Sequence, residues 1–225
     1  MSRRIQHRGF ALPTLMALLA MASIATLLAM RNLWVNAQLL NAQDDLLRTQ
    51  HKAEAVLPVA LADLLGTANT GNTTNSNGEV TSSLRHTAGS QTQTHAFFPT
   101  SSAEYDLLRQ RLSTGIGTDT CNAGICAPST LDPNSTKASY WKTQTTSAMA
   151  VNATDTPDGG NTAWYWIEVF PQANTTTFAY RITALANGVM PGSSTVLQTI
   201  WTRNTPTTTA TTSAGQWQSW HLLHD

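Results

Sequence analysis

The sequence predicts an α+β protein: a long N-terminal α-helix, hydrophobic in its first half, packed against a C-terminal antiparallel β-sheet. Three observations predict it. From Phe10 to Met30 there are 21 residues without a charge, enough to cross a hydrocarbon layer of roughly 30 Å as a helix. Residues 31–65 keep a helical spacing of apolar positions but intersperse polar ones. From Thr162 the period changes to two and aromatic, strand-forming residues dominate, so a core has to come from the second half, which holds six of the seven tryptophans.

Composition narrows the function classes. The chain has 225 residues, 13 basic and 13 acidic. Residues 1–9 hold Arg3, Arg4 and Arg8, and without them 10 basic side chains face 13 acidic ones, a net of −3. No basic patch survives outside that leader, which excludes a nucleic-acid partner. Two cysteines are too few for a disulfide scaffold or a four-thiolate zinc site. Abundant Thr, Asn, Ser and Gly with little Lys and Glu suits an extracytoplasmic bacterial protein.

The N-terminal segment admits three readings. A secretory signal would end at Ala20-Met21-Ala22, but the apolar run continues past Ala22 to Met30, beyond an ordinary h-region. A signal anchor would use Arg3, Arg4 and Arg8 to hold the N-terminus in the cytoplasm. On the third reading, Arg8-Gly9-Phe10-Ala11-Leu12 resembles the class III leader of type IV prepilins. The resemblance implies that a prepilin peptidase cuts between Gly9 and Phe10 and that Phe10 becomes the N-methylated terminus. That family usually has Glu at the fifth mature position, where it pairs with a neighbour's terminal ammonium inside an apolar filament core. This chain has Thr14 there, and members that sit at a pilus or pseudopilus tip also lack the Glu. Pro13 falls in the first turn after cleavage, where its missing N–H has no partner to lose.

Beyond the apolar run, Leu33, Leu40 and Leu47 recur at sevens, as do Leu39, Leu46, Ala53 and Ala60, with Leu57, Leu61 and Leu64 extending the stripe. Asn36, Asp44, Arg48, Lys52, Glu54 and Asp63 are expected on the other faces. Gly66 is a natural stop. Counted from Phe10, a helix over 10–65 is about 84 Å long. Pro58 is expected to kink it and to leave the Glu54 carbonyl without a helical partner. Residues 46–65 read as an amphipathic helix on its own domain, whereas 10–30 belongs in lipid or against copies and relatives of itself.

Residues 66–100 form a Thr/Asn/Gly-rich connection, whose 67–94 stretch is too poor in large apolar residues to order itself. The globular headgroup follows over 101–225. Ser101-Ser102-Ala103-Glu104 is a capping-box signature that predicts a short helix over 102–113, ending near Gly115. Turn-rich sequence runs to about Asn161. Trp164, Trp166, Glu168 and Phe170 then alternate with Tyr165, Ile167 and Val169 in a first strand. Phe178, Tyr180, Ile182 and Ala184 mark a second, Val196–Trp201 a third and Gln216–Leu222 a fourth. Short connections at Pro171–Asn174 and Asn187–Ser193 predict an antiparallel meander, burying one face on the helix and wetting the other.

Smaller constellations carry little chemistry. Cys121-Asn-Ala-Gly-Ile-Cys126 predicts a small disulfide loop in an oxidising compartment. Asp155-Thr-Pro-Asp158-Gly-Gly-Asn161 offers clustered oxygens for calcium but lacks the spacing of an EF-hand, and reads as a turn. His221, His224 and Asp225 cluster near the end and read as exposed residues, not metal ligands. No nucleophile elbow, phosphate loop or paired-histidine metal motif occurs, so neither catalytic residues, a cofactor nor a metal is expected.

Four segments sharpen the resemblance: Cys121 to Pro128, Ala163 to Val169, Tyr180 to Ala184, and Val196 to Ile200. In this order they resemble the PilX-type minor pilins of type IV pili. The resemblance implies a minor pilin that primes pilus assembly at the tip. Its partners would be other minor pilins, the major pilin and a PilY-type adhesin. It would stand in the inner membrane of a Gram-negative bacterium with a periplasmic headgroup before entering the pilus. Two alternatives remain. One is a type II secretion minor pseudopilin, although those lacking the Glu usually carry a much larger inserted domain. The other is a membrane-anchored periplasmic binding domain, with stacking surfaces drawn from Trp164, Trp166, Trp201, Trp217 and Trp220.

Overall fold

The computed structural model describes residues 11–66, 85–86, 95–116, 120–151, 163–172, 177–203 and 215–225. The chain forms two compact units, Met1–Asp44 and Asp45–Asp225. One helix, α1 (Ala11–Leu64), contributes to both. In the first unit every described side chain from Leu12 to Asp44 is exposed, including more than a dozen large apolar ones from Leu12 to Leu40. Each such side chain left in water forgoes about 1.5–3 kcal/mol of burial, more in sum than the whole net stability of an ordinary domain. This is the one described helix long and apolar enough to cross a membrane, and it can serve as an anchor.

In the second unit α1 runs on through Pro58 and stops where expected. Gly66 takes the left-handed conformation at φ 71°, donating its N–H to the Asp63 carbonyl at 3.1 Å. The buried stripe differs from the expected one. Leu46 and Leu47 are 57% and 56% exposed, whereas Asp45, Thr49, Lys52 and Asp63 are buried alongside Ala53, Val56, Leu57, Ala60 and Leu64. The physical reason lies in the elements that land on the helix, which offer hydrogen bonds at Asp45 and Asp63.

The capping box forms with one variation. Ser101 accepts the Glu104 N–H at 3.3 Å, and the Glu104 carboxylate reaches one residue further back to the Thr100 N–H and hydroxyl, both at 2.7 Å. These bonds, the Thr100 N–H first, hold the Glu104 carboxyl below its usual range. Helix α2 (Ser102–Arg111) passes into a π-helical turn over Leu112–Ile116, so the helical run ends near Gly115 as expected.

Among the described residues the sheet has seven strands where the sequence pattern marks four. They are β1 (Cys121–Asn122), β2 (Ile125–Cys126), β3 (Met149–Val151), β4 (Ala163–Pro171), β5 (Phe178–Asn187), β6 (Ser194–Arg203) and β7 (Gly215–Leu223). Their order is β1-β2-β4-β5-β6-β7, with β3 also pairing β4. The long strands form the expected antiparallel meander, in register at Glu168↔Arg181 and Ala184↔Leu197, with a bulge between Ile200 and Trp201 opposite β7. The β2–β4 pair is parallel, which the meander reading lacked.

The expectation of one wet face is overturned, because both faces carry a core. On one, Val56, Leu57 and Ala60 of α1 meet Tyr165, Ile167, Ile182, Leu197 and Trp201. On the other, Trp141 from a third helix, α3 (Ala138–Thr143), packs at 5.0 Å between ring centroids against Trp166, with Leu185 and Val196 beneath. The stretch read as turns to Asn161 therefore supplies the second layer. A six-residue helix shows no apolar period, and this hid it.

Candidate functional site

Two buried ion pairs fix the sheet's two faces. On the helix face, Asp63 at the end of α1 takes both forks of Arg85, at 2.9 and 2.7 Å, and the Tyr165 hydroxyl at 2.8 Å. Arg85 also donates to the Ala123 carbonyl at 2.7 Å and lies over the Phe98 ring. Both partners are 1% exposed. Burial, with the Asp63 charge beside it, pushes the Tyr165 phenol far up, so it stays a donor. Arg85 comes from the Thr/Asn-rich connection, which is anchored at this position, while the rest of 67–94 lies outside the described residues, His86 excepted.

On the opposite face, cross-strand neighbours Glu168 and Arg181 make a forked pair at 2.5 and 2.7 Å, and Arg181 donates to the Ser135 hydroxyl at 2.8 Å. Burial raises the Glu168 carboxyl against the pull of Arg181. Beside it lies a polar hollow of about 790 Å³ that includes Asp132, Tyr140, Trp141 and Ser147. Both Glu168 oxygens accept from Arg181 and Asp132 accepts the Asn134 N–H at 2.8 Å, so the hollow offers hydrogen-bonding groups.

A third lock holds the start of the second unit. The Asp45 carboxylate accepts the N–H groups of Val189 and Met190 at 2.8 and 3.1 Å, from the β5–β6 connection. The Val189 N–H, then Ser193 and Met190, keep this carboxyl below its ordinary value. Gly188 lets the loop approach, since a Cβ there would sit 2.6 Å from both Asp45 Oδ2 and Thr49 Oγ1.

The surface feature that these locks leave open is a groove between α1 and β7. It measures about 570 Å³ and is lined by Glu54, Leu57, Pro58, Leu61, Trp217 and Trp220, among others. Trp217 and Trp220 are 43% and 57% exposed. They pair with Trp201 and Thr199, which puts them on the helix-facing side of the last strand. The groove is apolar, aromatic on one wall and carries one carboxylate, so it suits binding and has no evident reactive group.

The residues singled out from the sequence fall as follows. Gly9 and Phe10 lie outside the described residues, as does Asp155–Asn161. Thr14 is exposed on α1. Cys121 and Cys126 are joined by a disulfide across the β1–β2 hairpin, whose turn residues Ala123 and Gly124 both have positive φ, 48° and 77°. A Cβ at Gly124 would meet Met149 and the Tyr165 carbonyl at 2.9 Å, so the glycine is required. His221 is exposed on β7, while Asp225 accepts the Ser139 N–H and pairs with Lys142 at 3.2 Å, closing the chain end onto α3. Of the five candidate stacking tryptophans, Trp166 and Trp201 are core, Trp164 is half-buried, and only Trp217 and Trp220 face the groove. Sequence reasoning missed the pairs Asp63–Arg85 and Glu168–Arg181. The second was readable as two lone opposite charges inside adjacent apolar strands. No family model, curated protein or solved structure matches this chain.

Proposed function

We propose that the chain is a membrane-anchored, pilin-like assembly subunit, a minor pilin of a type IV pilus processed between Gly9 and Phe10. The observation that carries this reading is the exposed apolar segment Leu12–Leu40, followed by a helix that enters a sheet domain at Asp45. A helix uncharged from Leu12 to Met30 with its large side chains outward needs lipid before assembly and other apolar helices after it. Packing of repeated, non-symmetric helix contacts builds a fibre instead of a closed ring. The disulfide hairpin fits an oxidising, extracytoplasmic headgroup. Thr14 fits a subunit that begins a stack, where no neighbour's terminal ammonium has to be neutralised. The resemblance of the ordered headgroup segments to PilX-type proteins adds partners of that class: other minor pilins, the major pilin and a PilY-type adhesin.

The test is the intact mass and N-terminal sequence of protein isolated from native envelopes. A chain starting at N-methylated Phe10 supports the reading. A start near Ser23, or an uncut N-terminus, sinks it. The groove at Trp217 and Trp220 favours a second reading, an anchored binding domain, and an uncut anchor would leave that one standing.

A further inference from the structure

We infer that the outer edge of β7 and the groove beside it form a docking site for an extended segment of another protein. That segment adds to the sheet as a further strand and sets a lysine or arginine against Glu54. The edge itself is the first ground. β7 is nine residues long and contains no Lys, Arg, Asp, Glu or Pro. It pairs with β6 on one side, and among the described residues no strand pairs with the other. Such an edge presents a row of backbone donors and acceptors, which proteins normally guard with charges, proline or short strands. The opposite margin of this sheet is guarded in that way, by strands of two and three residues and the Cys121–Cys126 hairpin.

The groove supplies side-chain recognition. A strand laid along β7 points alternate side chains toward the helix-facing side, where Trp217, Trp220 and Leu222 are 43%, 57% and 42% exposed. Glu54 is the one charged residue among the described lining residues. Its carboxylate takes Gln50 and His51 from its own helix at 3.0 and 3.3 Å and keeps further acceptor sites. A carboxylate and two indole faces around one apolar groove suit a cationic side chain.

Charge complementarity also selects the occupant. A second copy's β7 brings no lysine or arginine, and β1, β2 and β3 are too short and contain no basic residue. The partner is therefore a different polypeptide, apolar at alternate positions and basic at one. This inference concerns the Asp45–Asp225 unit and stands whether or not the N-terminus is processed as a prepilin.

The experiment uses the full chain in lipid nanodiscs and two labelled peptides of nine residues, matched to β7. Both alternate Val and Thr, with Lys at the centre of one and Glu at the centre of the other. Fluorescence anisotropy is expected to show the Lys peptide binding at least about tenfold tighter than the Glu peptide, with Glu54→Lys reversing the preference. Trp220→Ala should weaken both by roughly tenfold. Isotope-edited infrared of a ¹³C-labelled peptide carbonyl should shift to a strand band on binding. Circular dichroism of the variants should match the wild type, since Glu54 and Trp220 lie at the rim. The proposal is overturned if neither peptide binds below about 1 mM. It is equally overturned if Glu54→Lys leaves the preference unchanged or the carbonyl shows no strand band. Trp220-dependent binding of maltohexaose with no peptide binding would make the groove a carbohydrate surface and also overturn it.

Discussion

The two halves of α1 invert the usual relation between hydropathy and burial. The more apolar half, Leu12–Asp44, is exposed throughout, whereas the half from Asp45 to Leu64 buries Asp45, Thr49, Lys52 and Asp63. In the second half the partners come from the same chain, and polar locks set the register at which the helix sits. In the first half every described side chain from Leu12 to Asp44 is exposed, a surface that can serve as a membrane anchor. One continuous helix thus joins an exposed apolar half to a half buried in its own domain.

Four measurements would break or sharpen that contrast. The largest effect is expected at Asp63. Asp63→Ala leaves Arg85 charged, buried and without its carboxylate, and should cost about 3–5 kcal/mol of unfolding free energy in denaturant titration. Asp63→Leu combined with Arg85→Met should recover most of that loss, because an apolar pair removes both desolvation penalties. If the single and double variants are equally unstable, the pair is not what holds the helix end.

Next comes the exposed half. Ala20→Arg places a charge near the middle of the uncharged run and should disfavour membrane insertion by about 2.5–3.5 kcal/mol. Carbonate extraction should release the variant while the thermal midpoint of the Asp45–Asp225 unit stays unchanged. A shifted midpoint would show that the first half has a partner within the chain and would erase the contrast.

Gly188→Ala is expected to cost roughly 1–3 kcal/mol, since its methyl would press on Asp45 and Thr49. The smallest effect belongs to Asp45→Asn, about 1 kcal/mol at neutral pH, as one charged acceptor is lost. It has a pH signature. The Asp45 carboxyl is held below its ordinary value of 3.8, first by the Val189 N–H, so its contribution is complete above that value. As pH falls through the lower folded-state value, the contribution disappears. Wild type and Asp45→Asn should therefore differ at pH 6 and converge in strong acid, as followed by urea unfolding at each pH.

Much of this architecture was legible because it depends on local chemistry. The uncharged run, the Gly66 stop, the Ser101–Glu104 capping box, the cysteine pair and the period-two strands all rest on residues near one another in sequence. What escaped was non-local. Lys52 and Asp63 looked like solvent-facing residues because the heptad leucines Leu46 and Leu47 drew the stripe elsewhere. The side of the helix that is buried was decided by Arg85, 22 residues on, and by the Val189 loop, 144 residues on. The groove was half legible. Trp217 and Trp220 stood out as aromatics on a last strand, but that this strand is an edge beside α1 depends on the order of the whole sheet.

The two locks at either end of the buried half of α1 also have a mechanical meaning. A pull on the chain preceding Asp45 reaches this domain first at two hydrogen bonds to the β5–β6 connection. The load then passes along the helix to the forked Asp63–Arg85 pair, which is tied to β4 through Tyr165 and to the disulfide hairpin through Ala123. Tension is thereby carried to two separate parts of one sheet, the β5–β6 connection and the region of β4 and the hairpin.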